Sequence, residues 1–100
     1  MDLIVETYRP HGDASSANIR VRPLPGQGFD TALRVECSRS MRAQHPVGAL
    51  LKLDVKLTNR EGTLFLYAHP KASFEMVSIE EARRFIDMMH GQKTPTHAQT

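Results

Sequence analysis

The sequence predicts an α+β fold: a curled antiparallel β-sheet of about five to six strands with one C-terminal helix packed on it. Three observations carry this. Leu51, Leu53, Val55 and Leu57 alternate with Lys52, Asp54 and Lys56, the period of two that marks a half-buried strand. The run ends at Asn59-Arg60-Glu61-Gly62, where a glycine supplies the positive φ of a short hairpin loop, and an apolar return strand follows. Beyond Ser78 the period changes: Ala82, Phe85, Ile86 and Met89 fall at i, i+3, i+4 and i+7, the stripe of a helix lying on a sheet.

In chain order, residues 3–9 are β-rich (Ile4, Val5, Thr7, Tyr8) and stop at Pro10, which cannot donate to a ladder. Residues 10–17 are turn formers and predict a loop. Residues 18–24 form a second strand, with Ile19 and Val21 on one face and Arg20 and Arg22 on the other, closed by Pro23-Leu24-Pro25-Gly26. The glycines of Pro25-Gly26-Gln27-Gly28 read as a turn, because the lysine and strand-to-helix context of a phosphate loop are missing. From Thr31 alternation returns, turning Leu33, Val35 and Cys37 inward, until a polar stretch at residues 39–46 interrupts it. The return strand over residues 63–69 is apolar on both faces, so it is central or meets another subunit. Phe74 to Val77 is a short last strand leading into the helix. Ser78 and Glu81 have the spacing of a capping box, and Gly91 is the expected stop. The expected core is Ile19, Val21, Leu33, Val35, Leu51, Leu53, Val55, Leu57 and Phe65, with Phe85, Ile86 and Met89 from the helix.

A chain of 100 residues, 40% apolar, builds one modest core. A single domain over residues 1–91 is expected, with a disordered tail over residues 92–100. No apolar run reaches the eighteen residues of a membrane span, and the opening Met1-Asp2-Leu3 is unlike a signal peptide, so a cytoplasmic location is expected. Cys37 is the sole cysteine, which excludes a disulfide framework. His11, His45, His69, His90 and His97 have no metal-ligand spacing, so neither a metal nor another cofactor is expected.

The net charge of +2 is unevenly spread. Between Asn18 and Arg60 eight basic side chains face three acidic ones, a net +5, and the remainder carries −3. If the strands are neighbours, Arg20, Arg22, Arg34, Lys52 and Lys56 share one sheet face, a surface that could contact phosphates or simply be solvated and ion-paired. Arg39 and Arg42 in the polar stretch extend this anion-binding set, with His45 the available acid–base group. Cys37 shares the parity of Leu33 and Val35, so its thiol reads as a buried small hydrophobe rather than a nucleophile. A small-molecule pocket would draw on His45, Tyr67 and His69. Leu64, Leu66 and Met88 are apolar groups that one small domain leaves for an oligomer interface.

From Pro46-Val47-Gly48 through Lys56-Leu57-Thr58, then Arg60-Glu61-Gly62, Phe65-Leu66-Tyr67 and Phe74-Glu75, about a third of the chain resembles a pattern of small bacterial proteins. Some of those travel on mobile integron gene cassettes. The resemblance implies a bacterial origin and transfers no catalytic residue. The expected function is a cytoplasmic, non-enzymatic binding or interaction module that self-associates as a dimer or larger homo-oligomer. The alternatives are a nucleic-acid-binding protein (a small ribonuclease toxin or its regulator) using the arginine strands, and a small-molecule-binding or hydrolytic enzyme.

Overall fold

A computed structural model describes residues 1–10, 19–60 and 62–90. Among them are seven strands and two helices: β1 (Asp2–Tyr8), β2 (Arg20–Pro23), β3 (Val35–Glu36), α1 (Arg39–Ala43), β4 (Leu50–Asp54), β5 (Lys56–Arg60), β6 (Thr63–Tyr67), β7 (Phe74–Val77) and α2 (Ile79–His90). The class is α+β, with mostly antiparallel pairing and the C-terminal helix against a sheet. The strands form two sheets, ordered β2-β1-β4-β7 and β3-β6-β5. The only parallel pair among these strands, β3 with β6, spans two residues. Of the loop expected at residues 10–17 all but Pro10, and the whole tail expected at residues 92–100 together with Gly91, lie outside the described residues.

The alternation at residues 51–57, which predicts one strand, continues through two. At Val55 the chain leaves the first sheet: Asp54 N–H still bonds the Ser73 carbonyl at 3.2 Å and Val55 N–H bonds the Met1 carbonyl at 2.8 Å. Lys56 then pairs with Tyr67 in the second sheet. A strand that changes sheets makes the corner between two packed layers. Leu51, Leu53 and Val55 are buried, as their parity predicts, but Leu57 is 46% exposed because it lies past the corner.

The main core lies between the sheets. Leu3, Val5, Leu51 and Leu53 from the first meet Val35, Leu66 and Ala68 from the second, with Met41 of α1 sealing one side. β1 runs between β2 and β4 and is buried on both faces at Leu3, Ile4 and Val5. Lys52, the cross-strand partner of Ile4, faces the other side, and its ammonium sits 5.4 Å from the Phe85 ring of α2. The predicted helix stripe holds at Ala82, which is buried, and at Phe85 and Ile86, which are half-buried; Met89 is exposed. Ser78 and Glu81 form the predicted capping box, with Ser78 N–H donating to Glu81 Oε1 (2.8 Å) and Glu81 N–H to Ser78 Oγ (3.0 Å). The polar stretch, expected without regular structure, contains the short helix α1, capped by the Ser38 hydroxyl. No helix among the described residues is long and apolar enough to cross a membrane.

Candidate functional site

Where β4 hands over to β5, the two sheets part and leave a cleft of about 650 Å³. Its size suits a small organic ligand. The wall is apolar: Val55 at the corner, Leu57 just beyond it, Ala72 and the ring of Tyr67. Each is placed by the fold. The corner forces Val55 and Leu57 to the divergence, β6 ends at Tyr67, and the turn after β6 brings Ala72 across.

The polar groups at the rim are of two kinds. Asp54 is engaged: its carboxylate takes the Met1 amine at 3.0 Å, and that amine also donates to the Val55 carbonyl at 2.9 Å. Lys56 and Lys71 also line the cleft, and among the described residues neither belongs to an ion pair. Lys71 is held by its turn. Its backbone N–H donates to His69 Nδ1 at 3.0 Å, and Ala72 N–H donates to the His69 carbonyl at 2.8 Å. The neutral His69 ring therefore keeps its proton on Nε2. Lys56, Lys71, His69 and Tyr67 thus share the lining with a patch of carbon. That combination attracts an anion carrying an apolar body.

The structure distributes the predicted site residues over several surfaces. Of the proposed pocket, Tyr67 and His69 line this cleft, but His45 does not. His45 lies beyond α1, donating from Nδ1 to the Met41 carbonyl (2.9 Å) with its ring edge-on to Phe74. The five strand cations do not share one face, because the chain builds two sheets. Arg20, Arg22 and Lys52 occupy one side of the first sheet, whereas Arg34 and Lys56 belong to the second. Arg22 pairs with Glu6 at 3.3 Å and stacks on Tyr8, and Arg34 pairs with Glu36 at 3.1 Å. Arg34 and Arg60 both lie over Phe65, which is fully buried and offers no stacking platform. Arg39 and Arg42 are on α1, where Arg42 Nη1 donates to the Ile19 carbonyl at 3.0 Å. Cys37 packs against the core, where burial pushes its thiol up against a smaller opposing pull from Arg42.

Of the expected interface residues, Leu64 and Met88 are exposed, but Leu66 is 0% exposed. Leu66 is buried rather than available to a partner because β6 is the middle strand of its sheet, and Leu66 sits opposite Val35 on the face turned to the core. Lys71 and Ala72 escaped the sequence reading, since a His-Pro-Lys-Ala turn looks like any other polar turn. Comparison with protein-family models, with curated proteins and with solved structures finds no match for the chain.

Proposed function

We propose that this chain is a binding module, without catalysis of its own, that seats a small amphipathic anion in the cleft between its two sheets. The ligand class is a carboxylate, sulfonate or phosphate on an aromatic or aliphatic body. One observation carries the reading: Lys56 and Lys71 flank an apolar wall of Val55, Leu57, Ala72 and Tyr67 at a corner of the fold. The neighbouring groups favour holding over reacting. Asp54 is occupied by an ammonium partner, and His69 uses Nδ1 to brace its own turn. The arginine-based alternative draws less support, because its cations are divided between sheets and two of them are already paired.

The test uses anilinonaphthalene sulfonate, a fluorescent aromatic sulfonate, and its neutral counterpart phenylnaphthylamine. The native protein should bind the sulfonate saturably, one per chain, and several-fold more tightly than the neutral dye. Lys56→Ala and Lys71→Ala should each weaken the sulfonate about fivefold, as expected when one charged partner of about 1 kcal/mol is lost. Leu57→Asp should weaken both dyes. Equal affinity for the two dyes, or sulfonate binding untouched by either lysine change, would overturn the proposal.

A further inference from the structure

Among the described residues the two sheets have four edge strands, β2 and β7 in the first and β3 and β5 in the second. An open edge invites pairing with another chain, and proteins blunt it with cations, prolines or shortness. Three of these edges are blunted in that way. β2 carries Arg20, Arg22 and Pro23; β5 carries Lys56 and Arg60; β3 is two residues long and follows Arg34. The fourth, β7, reads Phe74-Glu75-Met76-Val77, with neither a cation nor a proline. Phe74 is 40% and Met76 56% exposed.

The register says which main-chain groups of β7 are left unpaired by β4, its neighbour among the described residues. Asp54 N–H bonds the Ser73 carbonyl, and β4 pairs Lys52 with Glu75 and Leu50 with Val77. Antiparallel ladders alternate, so Ser73, Glu75 and Val77 direct their N–H and C=O groups toward β4. Those of Phe74 and Met76 point outward. Two outward residues spaced by one are self-complementary about a two-fold axis. Set antiparallel, Phe74 of one copy meets Met76 of the other, and all four outward groups of each copy pair. Both exposed side chains lie on the same sheet face, so the same register packs each thioether against a ring.

We infer that β7 is an isologous docking edge for a second copy of this chain, joining two four-stranded sheets into one of eight strands with the two-fold axis at Glu75. The axis places the two Glu75 carboxylates side by side, each with Lys52 as its cross-strand neighbour on the inner side. The like pair weakens the contact and the flanking lysines offset it. The paired strip is short, so the dimer is weak, with a dissociation constant on the order of micromolar.

Size-exclusion chromatography with light scattering on the full chain, from about 1 to 300 µM, should show the mass rising with concentration from 11.2 kDa toward twice that value. Met76→Lys should hold the mass at the monomer value while leaving the circular dichroism unchanged. Glu75→Gln should tighten the dimer about threefold. The register has its own check: in a Cys37→Ala background, Glu75→Cys should cross-link copies on mild oxidation, because non-hydrogen-bonded partners on a two-fold axis come close enough for a disulfide. That check also decides the matter if Met76→Lys fails to fold. A monomer throughout the range, a dimer that survives Met76→Lys, or Glu75→Cys that stays uncross-linked would overturn the inference. A monomer whose Met76 amide resists hydrogen exchange would do the same, by placing another segment of the chain on this edge.

Discussion

Gln27 does with one side chain what a strand does with its backbone. Its Oε1 accepts from Ile4 N–H at 2.9 Å, and its Nε2 donates to the carbonyls of Ile4 at 2.9 Å and Leu24 at 3.0 Å. The amide therefore extends the pairing of β1 beyond Pro23, where the chain turns away from β2, and it is buried doing so. Gly26 and Gly28 on either side have φ of +95° and +88°, which lets the turn fold the glutamine back. Gln27→Glu keeps the acceptor but loses both donors and sets a carboxylate against two carbonyls. It should destabilise the fold at pH 7 by about 2–4 kcal/mol in urea denaturation, more than Gln27→Met. Thr7 plays a similar part at the other end of β1, where its hydroxyl donates to the Pro46 carbonyl at 2.7 Å and accepts from Ala49 N–H at 2.9 Å.

Among the elements, α2 carries its own start signal. Glu81 is held below the usual carboxylate range, first by the backbone N–H of Ser78 and then by its hydroxyl. A depressed carboxyl contributes stability above its ordinary pKa, and the contribution disappears as pH falls through the lower, folded value. Ser78→Ala should cost about 0.5–2 kcal/mol at neutral pH, and Glu81→Gln should flatten the acid side of the stability profile below about pH 4. Thermal unfolding followed at 222 nm between pH 2 and 7 checks both. Elements with such local signals were legible in the sequence: the capping box, the alternation of β4, the β5–β6 turn and the bounds of β7. The rest depends on distant partners. Nothing at Val55 announces a change of sheet, because alternation is the same in either sheet. β1 looked like a strand, but its burial on both faces follows from having β2 and β4 as neighbours. The cleft was half legible: Tyr67 and His69 stood out as chemistry, but Lys71 joins them only through the turn after β6.

At the scale of the whole molecule, the corner at Val55 makes the two sheets interdependent. β4 and β5 are nearly one strand, and the core between the layers draws Leu51 and Leu53 from one sheet and Leu66 and Val35 from the other. Among the described residues neither sheet has a second apolar layer of its own large enough to stand alone, since the helix α2 covers only part of the first and the second has three short strands. Folding should therefore be cooperative across the corner. The two tyrosines report this separately, for Tyr8 belongs to β1 and Tyr67 to β6, and no tryptophan obscures them. Tyr8→Phe leaves a probe of the second sheet, and Tyr67→Phe a probe of the first. Their fluorescence midpoints in urea should coincide. Leu66→Ala, which empties space at the interface of the layers, should lower both midpoints together by the equivalent of about 2–5 kcal/mol. Separate transitions, or a Leu66→Ala effect confined to Tyr67, would mean that the corner is a tether between two bodies and that the cleft beside it changes shape with them.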